Sequence, residues 1–253
     1  METIIKHSNR NYLLDTALNR ITFLDNRFYR SENSFIPSVT TILDAYPKGA
    51  AYFQWLKSTG ENSDEIRDDA GRRGSTVHDL TERYDNGEEI NLLNESGNMA
   101  FKMIEWSMFE RYIEFRNKFP LTILETELTI VSESLGFAGT LDRLIELNGK
   151  KILLDIKTSN AIYPSYWLQL AAYEKLLNER GVFVDEVAIL WLNAKTRTDG
   201  KKGDIQGIGW QLVLHGDDRK KDWELFKATQ SLWIAENGNS KPKETVYSLS
   251  HKL

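Results

Sequence analysis

At 253 residues, with 41% hydrophobic side chains and seven tryptophans to fill an interior, the chain can form one well-buried domain and does not need two. It has no cysteine, which excludes disulfides, zinc–thiolate sites, iron–sulfur clusters and a cysteine nucleophile. A formal net charge of −5 argues against wholesale coating of nucleic acid but leaves room for a local basic channel.

From Asn11 to Arg30 the pattern is strand-like, with Ile21, Phe23, Phe28 and Tyr29 flanking Asp25-Asn26, which reads as the tight turn of a hairpin. Pro37-Ser38 opens a short helix through Val39, Ile42 and Leu43, with Ser38 as N-cap, and Pro47 and Gly49 end it. A second short helix covers Ala50 to Lys57. Asn62-Ser63 begins a longer helix running to about Tyr84, with Asp64 and Glu65 in the first turn, where the helix dipole favours anions. Gly71 and Gly74 inside it each cost roughly 1 kcal/mol against Ala, so they ask for a reason. Asp85-Asn86-Gly87 stops this helix, and another follows over Met99 to Lys118, with Phe101, Ile104, Met108, Tyr112 and Phe115 at helical spacing. Tyr52, Trp55 and Trp106 also sit at helical positions and are expected in the core rather than as base-stacking platforms.

Pro120 marks the change to strands. These are Leu121 to Val131, Phe137 to Leu147 and Lys151 to Lys157, the last two joined by the strong hairpin signal Asn148-Gly149. Then come a helix from Tyr163 to Arg180, an apolar strand from Val184 to Leu192, a basic loop from Ala194 to Gly203, a strand from Ile208 to Leu214 and a helix from Lys220 to Glu236, before a polar tail. The expected organisation is a single domain over 1–253: an N-terminal hairpin with short helices (1–60), a core (61–195) and a C-terminal strand, helix and tail (196–253). No stretch is apolar for long enough to span a bilayer, and Met1–Arg10 lacks the apolar core of a signal peptide, so a soluble, cytoplasmic protein is expected.

The chemistry gathers on two strands. In Lys151-Ile-Leu-Leu-Asp-Ile-Lys157, alternate side chains share a face, so Ile152, Leu154 and Ile156 point one way and Leu153, Asp155 and Lys157 the other. Taken alone, Asp155 and Lys157 read as an ion pair at a strand end. Gly139-Thr-Leu-Asp-Arg143 changes that reading. A two-residue turn at Asn148-Gly149 sets Leu147 opposite Lys150 and hence Asp142 opposite Asp155, with Cβ atoms roughly 5 Å apart. Two carboxylates so placed repel unless a cation lies between them, and a hard divalent ion takes oxygen ligands of this kind.

Asp142 followed by Asp155-Ile156-Lys157 resembles the PD-(D/E)XK nuclease motif, and within that superfamily it is similar to the RecB-like exonuclease branch. Gly74-Ser-Thr-Val-His78 resembles the branch's upstream Gly-x-x-x-His element, and Gln169-Leu-Ala-Ala-Tyr173 its downstream Gln-x-x-x-Tyr element. The likeness covers about residues 35 to 195. Leu141 stands where the motif's name has Pro, a proline that this branch often lacks. With no cysteine the chain is similar to the cluster-free members, such as phage exonucleases and the mitochondrial genome maintenance exonuclease.

The resemblance implies an α/β restriction-endonuclease-like core, αβββαβ, with a central mixed sheet flanked by helices and an N-terminal hairpin and helical extension. It implies a DNA exonuclease dependent on one or two Mg²⁺ or Mn²⁺ ions, acting at DNA ends or on single-stranded or flap regions in recombination, repair or replication. A structure- or sequence-specific endonuclease and an inactive DNA-binding protein of the same fold remain as alternatives. His78, Asp142, Asp155 and the Ile156 carbonyl would hold metal. Lys157 would position or deprotonate the attacking water or stabilise charge on the phosphate. Glu127 is favoured over Glu125 to join the site, although both share a strand face, and Gln169 and Tyr173 would support the site or touch substrate. Arg72, Arg73, Arg143, Thr158, Ser159, Lys195 and Arg197, with Lys201 and Lys202 beside them, are candidate contacts to the DNA backbone. A phage or host recombination or replication protein is a conceivable partner.

Overall fold

In a computed structural model of the chain, residues 6–7, 10–11, 14–15, 20–23, 26–31, 34–194, 206–216, 218–238 and 241–242 are described. The N-terminal part pairs β1 (Lys6–His7) with β2 (Arg10–Asn11), and builds a second sheet in the order β3 (Leu14–Asp15), β4 (Arg20–Phe23), β5 (Asn26–Arg30), β6 (Phe35–Pro37). Asn26, expected in the turn of a hairpin, pairs with Phe23 and belongs to the strand, whereas Asp25 lies outside the described residues. Helix α1 (Val39–Leu43) starts where the sequence places it, because the Ser38 side chain accepts the Thr41 N–H and so satisfies a donor that the first turn leaves open. Helices α2 (Ala50–Thr59) and α3 (Ser63–Asp85) follow, linked by a 3₁₀ turn.

Helix α4 is Met103–Lys118 and starts four residues later than expected. The Asn94 side chain accepts the N–H groups of Ser96 and Asn98 and holds the preceding segment in a turn, while the Glu105 carboxylate accepts the Lys102 N–H at 2.8 Å and fixes the helix start. Phe101 thus precedes the helix and Ile104 is exposed, leaving Met108, Phe109, Tyr112 and Phe115 as the buried stripe.

The main sheet has five strands in the order β11 (Gln211–Leu214), β10 (Glu186–Trp191), β9 (Lys150–Lys157), β8 (Phe137–Leu147), β7 (Leu121–Ser132). It is mixed: β9 and β10 run parallel and the other neighbours are antiparallel. The strand expected from Ile208 begins only at Gln211, because Gly209 (φ 77°) turns the chain and leaves Ile208 exposed. Helix α5 (Pro164–Glu179) joins β9 to β10, and α6 (Arg219–Asn237) is the last described helix.

The period-2 alternation of β9 sorts the interior into two layers. Ile152, Leu154 and Ile156 pack with Val77, Met108, Tyr112 and Phe115 beside α3 and α4. Leu153 packs with Leu168, Leu176, Phe226 and Trp233 beside α5 and α6, joined by Ile42 of α1. The fold is α/β, a five-stranded mixed sheet flanked by helices, and no described helix is long and apolar enough to cross a membrane. Tyr52, Trp55 and Trp106 are not core residues: all three are only half-buried, and α2 buries no side chain.

Candidate active site

The β8–β9 hairpin turns on two left-handed residues, Asn148 (φ 53°) and Gly149 (φ 73°), the signature of a tight two-residue connection. Its register runs from Leu147 opposite Lys150 to Arg143 opposite Leu154. One further step would oppose Asp142 to Asp155, and there the ladder ends. In place of a ladder bond, Asp142 Oδ2 accepts the Ile156 N–H at 2.7 Å.

Helix α3 delivers His78 to this opening. Its Nε2 lies 3.0 Å from the Ile156 carbonyl oxygen, and its Nδ1 3.4 Å from Asp142 Oδ1 and 3.9 Å from Glu127 Oε1. Glu127 is brought there by β7: Thr126 pairs with Arg143 and Leu128 with Leu141, so Glu127 sits across from Asp142, whereas Glu125 pairs with Leu144 further along. A bulge between Ile123 and Glu125 shifts that register, and Glu127 has a left-handed backbone (φ 44°). A non-glycine residue in that region carries strain, which tends to concentrate at functional sites. His78, Glu127 and Asp142 each offer one ligand atom within 4.8 Å of the others. Asp155 is not in this group; it lies beside it, facing α5.

Asp155 and Lys157 form a second layer. Lys157 Nζ is 2.6 Å from Asp155 Oδ2 and donates to Gln169 Oε1 at 3.1 Å. Gln169 Nε2 donates to Asp155 Oδ1 at 3.3 Å and to Tyr173 Oη at 3.0 Å. Gln169 and Tyr173, one turn apart on α5, thereby brace the acid and the lysine from below. Asp155 Oδ2 is buried, with the Lys157 ammonium as its counter-charge. Gly139 is needed for this arrangement: a Cβ there would lie 2.3 Å from Tyr173 Cε1. Gly74 differs, because a Cβ there would meet Thr158 Oγ1 at an ordinary 3.5 Å, so the sheet itself does not demand a glycine.

The charges are strongly coupled. Burial alone would lower the His78 pKa, but Asp142 and Glu127 outweigh it and push it up to about 10. Burial raises Asp142, and the facing His78, with Lys157 and the Ile156 N–H, more than reverses this and holds it below its ordinary value. Asp155 is raised to about 6 by burial, which Lys157 opposes and Asp142 reinforces. Burial would lower Lys157, yet Asp155 and Asp142 hold its pKa above the usual value. Strongly shifted acids and bases gathered in one opening are a recurrent mark of functional sites.

The other expected contacts are placed unevenly. Arg143 is not on a surface: it is fully buried. Its Nε donates to Asp85 at 2.7 Å, its Nη2 to Thr81 Oγ1 at 3.2 Å and its Nη1 to the Asp142 carbonyl at 2.7 Å. Asp85, whose side chain is 1% exposed, is also held by Arg116 and by the Tyr112 hydroxyl. Arg143 is thus a structural cation whose donors are spent on protein, and no DNA backbone can reach it. Arg72 is exposed and pairs with Asp69 at 2.7 Å. Arg73 is half-buried, and its Nε is buried with no hydrogen-bond partner among the described residues. Thr158 is buried next to Gly74, whereas Ser159 caps its own turn by donating to the Ala161 carbonyl at 2.8 Å. Lys195, Arg197, Lys201 and Lys202 lie outside the described residues. One neighbour escaped the sequence reading: Tyr166, whose ring centre is 4.6 Å from Lys157 Nζ. Its spacing of three residues from Gln169 was the available signal.

No family model and no curated protein matches the chain. Among solved structures, a protein from Eubacterium rectale titled "Putative exonuclease" is similar over 82% of this chain and 83% of its own, at 16% identity and a TM-score of 0.43. A second, titled SSO0001, covers 63% of this chain and 85% of its own at 14% identity and a TM-score of 0.27. Likenesses this distant carry no weight for activity, so a functional reading has to rest on the residues of the site.

Proposed function

We propose that the chain, as a single domain over 1–253, is a divalent-metal-dependent deoxyribonuclease of the PD-(D/E)XK type, close to the RecB-like exonuclease branch. In this reading it hydrolyses phosphodiester bonds at DNA ends or in single-stranded or flap regions. The observation that carries the proposal is the convergence of His78, Glu127, Asp142, Asp155 and Lys157 at the point where β8 and β9 stop pairing.

The donor set suits a hard divalent ion. It offers carboxylate oxygens, one imidazole and one carbonyl, with no thiolate, and an imidazole is commoner at Mn²⁺ than at Mg²⁺. Asp155 Oδ2 is buried with the Lys157 ammonium 2.6 Å away as its counter-charge. His78, Glu127 and Asp142 would hold the ion, with Asp155 and the Ile156 carbonyl completing the set that the resemblance implies. A divalent cation at such a place supplies Lewis acidity toward the phosphate and lowers the pKa of water.

The protein's own groups divide the remaining work. Lys157, steered by Gln169 and Asp155, presents a fixed positive charge to a phosphate whose negative charge grows in the transition state, or orients the attacking water. Tyr173 fixes Gln169, and Gly139 makes room for Tyr173. Arg72, Arg73, Thr158 and Ser159, with Lys195 and Arg197, are proposed as contacts to the DNA backbone.

The test is cleavage of 5′- and 3′-labelled single-stranded, duplex and flap DNA, beside closed circles, with Mg²⁺, Mn²⁺ or EDTA. Activity is expected with metal, on linear rather than closed DNA, and is expected to vanish in Asp155→Ala and Lys157→Ala while far-UV circular dichroism stays unchanged. Undiminished metal-dependent cleavage by either purified variant would refute the site. DNA binding with no cleavage under any metal condition would identify an inactive binding protein instead.

A further inference from the structure

The proposed mechanism asks Lys157 to keep its charge in one place, and a lysine is poorly suited to that. Its ammonium sits on a flexible stem and can point in many directions unless its neighbours restrain it. Three groups surround Nζ: Asp155 Oδ2 at 2.6 Å, Gln169 Oε1 at 3.1 Å and the centre of the Tyr166 ring at 4.6 Å. The first cannot serve both purposes. If Asp155 turns its charge toward a cation, its hold on the lysine weakens. Gln169 and Tyr166 carry no formal charge and do not compete for that cation.

The Tyr166 ring is itself held. Pro164 begins α5, so Tyr166 lies in the first turn, one turn before Gln169 on the same side of the helix. The Tyr163 ring meets it edge-on, with centroids 5.5 Å apart at 81°. The Tyr166 hydroxyl interacts with the Ser159 side chain. A partly buried aromatic face over an ammonium is attractive because the ring quadrupole presents negative charge to it, and the attraction grows as water is removed.

We propose that Tyr166 is a positioning residue for Lys157: the face of its ring, with the Gln169 amide oxygen, fixes the ammonium where the phosphate is cleaved. This rests on the nuclease reading above. Removing the ring then lowers turnover and leaves DNA binding in place, because the lysine remains present but wanders. A residue that merely fills space would affect stability and leave the balance of kcat and KM alone.

The experiment compares Tyr166→Phe, which keeps the ring, with Tyr166→Leu and Tyr166→Met, two non-aromatic replacements so that one failure to fold does not end the test. With end-labelled linear DNA and Mn²⁺, Tyr166→Phe is expected to stay within about twofold of wild type. The non-aromatic variants are expected to lose about tenfold in kcat at unchanged KM, the size of one partly desolvated cation–ring contact. Wild-type kcat in the non-aromatic variants, or an equal loss in Tyr166→Phe, overturns the proposal. A second readout needs no activity. In protein carrying ¹³C-labelled lysine, the ε-methylene signal missing from Lys157→Arg is expected upfield of the other lysines, to remain there in Tyr166→Phe and to return to the ordinary position in Tyr166→Leu. A signal unmoved in Tyr166→Leu overturns the contact whether or not the protein cleaves DNA. A wild type that shows the ring shift but cleaves nothing refutes the nuclease reading and the proposed role of Tyr166 with it, and leaves only the Tyr166–Lys157 contact.

Discussion

Replacing Asp85 with Asn tests whether Arg143 is a structural cation rather than a DNA contact. Asp85 is almost fully buried and accepts from Arg116, from the Tyr112 hydroxyl and from Arg143 Nε at 2.7 Å. Arg143 is completely buried, and beyond Asp85 its nearest carboxylate is Glu127, 3.5 Å from a terminal nitrogen. An amide at position 85 keeps the shape but removes the charge that two guanidinium groups face. Breaking a buried pair by removing one partner costs about 3–5 kcal/mol, because the other charge stays buried without compensation. At roughly 2–4 °C per kcal/mol for a chain of this size, Tm is expected to fall by about 10 °C. Urea unfolding and thermal scans of Asp85→Asn read this directly. The second arm is Arg143→Met, assayed for salt-dependent DNA binding at a temperature where the variant is folded. If Arg143 touched phosphate, the variant would show a smaller dependence of log Kd on log salt by about one contact. The structure requires no change in that slope. A wild-type Tm for Asp85→Asn, or a reduced slope for Arg143→Met, would refute the reasoning.

Gly139→Ala places a Cβ 2.3 Å from Tyr173 Cε1 and is expected to cost about 1–3 kcal/mol by overpacking, with loss of cleavage as Gln169 is displaced. The cost is expected to be largely relieved in Gly139→Ala/Tyr173→Leu, and additive unfolding energies in that double-mutant cycle would show that the two residues do not touch. In EDTA, His78 is raised from 6.5 to about 10 in the folded chain. Its stabilising contribution is therefore complete below pH 6.5 and lost as pH climbs through about 10. The urea midpoint is expected to decline over that window in wild type, and this part of the decline is expected to disappear in His78→Gln. Mn²⁺ binding is expected to release protons at neutral pH, seen as a titration enthalpy that varies with the ionisation heat of the buffer, and His78→Gln is expected to abolish most of that variation.

The parts of the site that the sequence revealed are those set by short-range rules. A two-residue turn at Asn148-Gly149 leaves one register, and from it the proximity of Asp142 to Asp155 follows by counting. Gln169 and Tyr173 share a helix face by their spacing of four. The choice of Glu127 over Glu125 was within reach of the same counting, but only once the β7–β8 connection was known to place Ser132 opposite Phe137. The residues Glu133 to Gly136 do not announce that length. Arg143 was misjudged because its partner, Asp85, lies 58 residues away and reads locally as part of a helix stop. Burial of a charge is decided by such distant partners, and no local pattern reports them. The aromatic residues of α2 erred in the opposite direction. Their spacing fits a buried stripe, yet α2 buries no side chain.

The electrostatics of the site make sense as a contest for a single place. Asp142 and Glu127 face His78 from two strands, and in the metal-free chain they hold a proton on its imidazole far above its ordinary value. An imidazolium between two carboxylates is a monovalent stand-in for the charge that such a cluster attracts. Its Nε2 meets the Ile156 carbonyl and its Nδ1 faces the Asp142 carboxylate, two of the groups proposed as metal ligands. Under the proposed function a divalent ion displaces that proton, and its affinity is expected to climb with pH through the range where His78 titrates. Asp155 has Lys157 as its counter-charge and Gln169 as its brace. Under the proposed function, the layer of His78, Glu127 and Asp142 exchanges a proton for metal, while Lys157 and Gln169 on β9 and α5 supply the bracing beside it.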